Sequence, residues 1–225
     1  MSAAYKWYRV SLPKKGVGLA KLLSKSPLLA DSEFGFVVIE DDKKLPKLRF
    51  LRRTKVVVTR VSDEGLPYIE EIDGVDFVDF AVIRSYTTNY LRLENPGHGA
   101  KHLFNALEII LGMGFTCEII KLQSSDPSEI FEGVESAKLT GFSVSGAVAD
   151  QDLIARLEFS SKKGMDIRKI RWLKGLQYKT DFSAFEIIYR GLRGQISFSS
   201  SGSVKVSGPL SPRLIEQVDK YISRR

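Results

Sequence analysis

Short alternating or β-branched runs, each closed by glycine, proline, aspartate or serine, recur along this chain without a regular strand–helix–strand period. Alternation at period two marks a half-buried strand, and a chain without the βαβ rhythm lacks the helical crossovers that parallel strands need. The expected class is α+β, with mostly antiparallel sheets, a few packed helices and room for two sub-domains. Strands are expected at Tyr5–Leu12, Phe34–Ile39, Leu45–Arg53, Lys55–Val61, Phe77–Arg84, Tyr90–Leu93 and Phe115–Leu122. Further strands are expected at Lys138–Val148, Leu153–Phe159 and Phe182–Tyr189, with a hairpin of Gln195–Phe198 and Val204–Val206 around Ser200-Ser201-Gly202. The stretch from Ser62 to Gly74 reads as turn residues and acids, and Ser125-Asp126-Pro127 as the cap of a short helical turn.

Three helices carry apolar stripes at helical spacing. Leu19, Leu22 and Leu23 form a short one that Pro27 closes. Leu103, Phe104, Leu107, Ile110 and Leu111 form a longer one that Gly112 and Gly114 stop. Leu214, Ile215, Val218, Tyr221 and Ile222 form the last, opened by Ser211 as N-cap and Pro212 at the first helical position.

Charge is segregated. Residues 1–60 hold 14 Lys and Arg against 5 Asp and Glu, a net of +9; residues 61–150 hold 5 against 15, a net of −10; residues 151–225 hold 15 against 7, a net of +8. The sign changes near 149–152, which sets an expected division into an N-terminal domain of residues 1–150 and a basic C-terminal domain of residues 151–225. Two readings follow. Basic flanks on one surface attract a polyanion, nucleic acid above all. Alternatively, the acidic middle neutralises the flanks within the fold or across a homo-oligomer.

Two basic clusters stand out. Residues 162–174 read as a helix. Stepping 100° per residue puts Ile167, Ile170 and Leu173 on one buried stripe, Arg168, Lys169 and Trp172 opposite, and Arg171 and Lys174 at the rims. An aromatic between two cations suits stacking on a base while its neighbours hold phosphate; packing of Trp172 against its own chain is the plainer account. Lys162, Lys163 and Lys179 extend the neighbourhood. The second cluster is Arg49, Arg52, Arg53, Lys55 and Arg60, with Arg49 and Arg53 on one strand face and Arg52 on the other. Such a face can track phosphates, or it can protect a sheet edge.

Catalytic patterns are missing. His98 and His102 have i, i+4 spacing, but Gly99 follows the first histidine where a zincin needs glutamate, and no third ligand is evident, although Glu94 is close in sequence. Asp73, Asp76 and Asp79 do not share a strand face, so a metal-dependent nuclease is a residual class. Cys117 is the one cysteine and reads as packing; no G-x-S-x-G elbow is present. The chain is expected to be non-enzymatic, without metal or cofactor. With no apolar leader region and no membrane-length apolar run, it is expected in the cytoplasm, without direct membrane insertion.

Tyr5 to Arg9, followed by Leu22-Leu23-Ser24-Lys25-Ser26-Pro27-Leu28-Leu29-Ala30-Asp31, forms an opening strand and leucine-rich helix. Gly141 to Val148 is a central strand. Asp166-Ile167-Arg168-Lys169-Ile170, then Asp181-Phe182-Ser183, then Ser200-Ser201-Gly202 and a closing helix complete the order. This succession, spanning most of the chain, resembles the RexA phage-exclusion family of lambdoid prophages. The resemblance implies an antiviral role, DNA binding, self-association into a homodimer or larger homo-oligomer, and a separate membrane effector partner. It carries over no active residues.

Overall fold

The strands of residues 34–94 pair antiparallel with one another, as do those of residues 2–6 and 136–207. The computed structural model describes residues 2–12, 18–42, 45–84, 88–122, 130–148, 153–173, 175 and 177–224, with the side chains of Ala147, Val148, Leu153, Ile154 and Trp172 outside that description. Contacts divide the chain into two units, residues 9–118 and residues 1–8 with 119–225. The expected division near 149–152 falls outside the described residues, as does the helical turn expected at 125–127.

In the 9–118 unit, β2 (Phe34–Glu40), β3 (Lys47–Val61), β4 (Pro67–Arg84) and β5 (Asn89–Glu94) lie side by side in that order. Alternation sends Leu48 and Phe50 of β3 inward beside Phe80 of β4 and Phe36 of β2, with the Phe36 and Phe50 rings 5.4 Å apart. Helix α1 (Leu19–Leu23) buries Leu19 and Leu23 and half-buries Leu22; helix α2 (Gly99–Leu111) buries Leu103, Ala106 and Leu107 and leaves Phe104, Ile110 and Leu111 of its expected stripe half-buried. Two expectations fail here. The runs 45–53 and 55–61 are one 15-residue strand, and β4 starts at Pro67, inside the stretch read as turn. The two strands stay in register from Lys47↔Ala81 to Val61↔Pro67. Cross-strand pairing thus overrides the acids and Gly74, which weaken strand propensity locally.

The other unit is ordered β1-β11-β10-β9-β7-β8. Its strands are β1 (Ser2–Ser11, residues 2–8 of it here), β7 (Ser136–Val148), β8 (Leu153–Ser160), β9 (Lys179–Tyr189), β10 (Leu192–Ser199) and β11 (Ser203–Ser207). The short strand β6 (Thr116–Ile119) crosses the 118/119 division. Helix α3 (Ser211–Ser223) lies on the apolar face of β10 and β11 and buries Leu214, Ile215, Val218 and Ile222. Gly194 allows the close approach: a Cβ there would sit 2.7 Å from Leu210 Cβ. Ser211 is not the N-cap expected of it. It lies in the first turn, and its hydroxyl donates to the Gly208 carbonyl at 2.7 Å.

One polar bond crosses this core. The buried Trp7 Nε1–H donates to Asp219 Oδ1 at 2.7 Å and so joins β1 to α3. Trp7→Phe keeps the aromatic volume near and leaves that carboxylate oxygen without its indole donor. The expected loss is about 1.5–3 kcal/mol of stability, the usual contribution of a hydrogen bond to a charged group, read as a shifted urea midpoint at unchanged m-value.

Candidate nucleic-acid interface

The segment from Ser161 to Tyr178 is fastened to strand β7 at both ends. A β-bulge at Thr140 breaks the β7–β9 register between Leu139 and Gly141. It leaves the Thr140 carbonyl to accept from Ser161 N–H at 2.9 Å, and the Leu139 carbonyl to accept from Met165 N–H at 2.9 Å. At the far end, a Cβ on Gly146 would lie 2.6 Å from the Gln177 carbonyl oxygen, so only glycine lets Gln177 and Tyr178 close on β7. Leu173 is buried between these two anchors.

The expected helix over 162–174 is not formed. Two single 3₁₀ turns, Ile167–Lys169 and Arg171–Leu173, are separated by Ile170 in extended backbone at φ −78°, ψ 104°. Gly164 and Gly175, both at positive φ, bracket only ten residues, too few to offset helix nucleation. Asp166 caps the first turn by accepting from Arg168 N–H at 3.0 Å. The sidedness read from the sequence survives the change of geometry. Leu173 is buried, Ile167 and Ile170 are half-buried, and Arg168, Lys169 and Arg171 are exposed. The Trp172 side chain and all of Lys174 lie outside the described residues.

Beside this segment lies an open cleft of about 490 Å³. Leu139, Phe142 and Phe185 supply apolar wall, and Ile167, Tyr178 and Lys179 line it from the segment's side. Tyr178 is 39% exposed and meets Phe142 edge-on with ring centroids 6.3 Å apart, so one ring remains free to stack. An adjoining hollow shares Phe142 and Phe182 and reaches Arg156 and Glu158, which pair with each other at 2.9 Å. Neither Tyr178 nor Phe182 was picked out from the sequence; the aromatic–basic order Tyr178-Lys179 was the available signal.

Electrostatics separates the two basic clusters. Among the described residues, Lys162, Lys163, Lys169, Arg171 and Lys179 are exposed and form no salt bridge. Arg168 is the exception in this segment: its Nε lies 3.0 Å from Asp166 Oδ1 and its Nη2 3.3 Å from Oδ2. These side-chain bonds, the backbone bond and the charges of Arg168 and Lys169 hold the Asp166 carboxyl below its ordinary range.

In the 9–118 unit the Arg49 cluster is taken up by the facing strand and, at Arg53, by carbonyls that precede β2. Arg49 makes a two-pronged pair with Asp79 at 2.7 and 2.8 Å, and its guanidinium lies 4.3 Å over the Phe77 ring. Arg52 pairs with Asp76 at 3.0 Å and sits 3.3 Å from His102 Nδ1. Arg53 donates to the carbonyls of Ser32 and Leu29. Lys55 pairs with Glu71 and Arg60 with Glu70. Direct register explains Arg49↔Asp79 and Arg52↔Asp76; the last two pairs are diagonal neighbours on one face.

No group of three His, Cys, Asp or Glu able to hold a metal occurs among the described residues. The Cys117 thiol is pushed up to about 12 by burial, so it stays protonated at neutral pH and is a poor nucleophile. No helix among the described residues is long and apolar enough to cross a membrane. The chain matches no protein-family model, and no curated protein matches it.

Asp166→Asn keeps an oxygen for the Arg168 N–H and removes the charge that occupies the Arg168 side chain. If the basic segment holds phosphate, filter binding to a DNA oligonucleotide should tighten. The slope of log affinity against log salt should steepen by up to about 1, the share of one phosphate contact. Weaker binding by Asp166→Asn would contradict this role for Arg168.

Proposed function

We propose that this chain is a non-enzymatic nucleic-acid-binding protein. Its contact surface is the exposed basic segment of residues 162–179 with the aromatic cleft beside it. The observation that carries the reading is the set Lys162, Lys163, Lys169, Arg171 and Lys179, outside any salt bridge among the described residues, next to the exposed ring of Tyr178. Cations that give up no protein partner can release counterions from a phosphate backbone at little cost. An exposed aromatic adds base stacking that tolerates any sequence and favours single strands. The Arg49 cluster contributes less, because a phosphate contact there would first break a pair with Asp76, Asp79, Glu70 or Glu71 or, at Arg53, its bonds to the Ser32 and Leu29 carbonyls.

The biological setting we attach is phage exclusion, with this chain as a sensor and a separate membrane protein as effector. It rests on the resemblance of the three stretches to the RexA family. A gene for a small multi-pass membrane protein beside this one would support that setting, and its absence would count against it. The alternative, an assembly module driven by the same charge segregation, loses support from the β3–β4 pairs, which satisfy acidic residues within one chain.

The test is a mobility shift on duplex and single-stranded DNA across a salt series, with plasmid and RNA incubated alongside in magnesium or manganese. Binding at low salt that falls steeply as salt rises is expected, with both nucleic acids left intact. Lys169→Ala with Arg171→Ala should flatten the salt slope by up to about 2. Absence of a shift at low salt would end the reading, and cleavage would make the chain a nuclease.

A further inference from the structure

Strand β3 leaves the sheet early. Its outer edge is paired with β2 only as far as Phe34↔Arg52, followed by Arg53 N–H to the Glu33 carbonyl at 2.9 Å. On the other side, β4 meets β5 only from Asp79↔Glu94 onward. Residues 54–61 and 67–77 therefore form a two-stranded ribbon, paired with each other and, among the described residues, with no other strand. A two-stranded ribbon is marginal on its own, and this one exposes apolar side chains on both faces. Val57, Val61 and Ile69 are 62, 66 and 72% exposed on one face; Val56 and Tyr68 are 47 and 46% exposed on the other. Sheet edges are ordinarily blunted by proline, a bulge or a charge at mid-strand. From Leu48 to Val61 β3 has no proline and no register shift, and its free stretch is centred on Val56-Val57-Val58.

We propose that this edge pairs with the same edge of a second copy of the chain, antiparallel and centred on Val57. Charge selects the occupant. Residues 53–77 carry three basic and six acidic side chains, a net of −3, which disfavours nucleic acid and anionic lipid. Charge also limits the register. Two-fold pairing about Val57 sets Val56 opposite Val58, Lys55 opposite Thr59, Thr54 opposite Arg60 and Arg53 opposite Val61, with no like charges facing. Arg53 N–H points outward to the Glu33 carbonyl, so the odd-numbered residues turn their backbone groups to the free edge and a two-fold must set odd opposite odd. Centring on Val56 then faces Arg52 with Arg60, and centring on Lys55 faces Lys55 with its own copy. On the β4 edge, pairing about Ile72 faces Glu71 with Asp73. A β3-to-β3 contact is isologous, so it closes as a dimer; β3 against β4 would run on as a filament. The inference stands apart from the nucleic-acid reading, since it uses none of residues 162–179.

Sedimentation of the full chain between about 1 and 50 μM tests it. The wild type should be a dimer, held as firmly at high salt as at low, because backbone bonds and apolar contact are little screened. V57K and V57E should each sediment as monomers with unchanged far-UV circular dichroism, since like charges would meet across the two-fold at a solvent-exposed position. An equimolar mixture of V57K and V57E should recover the dimer. A monomeric wild type, a V57K variant that stays dimeric, or a mixture that stays monomeric would overturn the proposal. A monomer with the ribbon protected from proteolysis would assign its cover to the same chain.

Discussion

The buried bond from Trp7 to Asp219 is the constraint on which the 1–8/119–225 unit depends. Its partners are 212 residues apart, and a hydrogen bond to a charged group in the interior is far stronger than one in water. The bond ties the first strand to the last helix over a core that includes Tyr5, Val204, Val206, Leu214 and Val218. Strands β9 and β7 then extend that same sheet outward from β10. The bulge at Thr140, the close approach at Gly146 and the buried Leu173 set the basic segment against β7. Its cations therefore sit on a fixed backbone and owe their exposure to short polar turns.

Segregated charge along the chain resolves differently in the two units. The basic start and the acidic middle meet as facing strands, so Arg49, Arg52, Lys55 and Arg60 find carboxylates in the sheet. Each such exposed or half-exposed pair contributes only about 0–1 kcal/mol to stability. Their consequence is neutralisation of a surface that would otherwise attract anions. The basic surplus of residues 151–225 has fewer acids to meet. Arg168 finds Asp166 and Arg213 approaches Glu216, while the cations of 162–179 apart from Arg168 remain outside salt bridges among the described residues.

Much of the sheet was legible because alternation is local. Leu48 and Phe50 buried between Lys47, Arg49 and Leu51 follow the pattern in the sequence itself. So do α2 and α3, whose stripes are long enough to fix a face. The ribbon was not legible, since residues 62–74 hold Pro67, Gly74 and five acids, and only the register with β3 makes residues 67–74 a strand. The segment 162–174 was misread in backbone but not in sidedness, because a three-residue repeat of Ile167, Ile170 and Leu173 fits a 3₁₀ turn as well as an α-helix. The pairing of the Arg49 cluster could not be seen without knowing that residues 76 and 79 lie across from residues 52 and 49.

Hydrogen exchange of the full chain with and without a single-stranded oligonucleotide at low salt would separate the two basic clusters in one measurement. The account predicts new protection in peptides covering residues 161–180 and none in those covering residues 47–61. Protection confined to residues 47–61, with 161–180 unchanged, would contradict it.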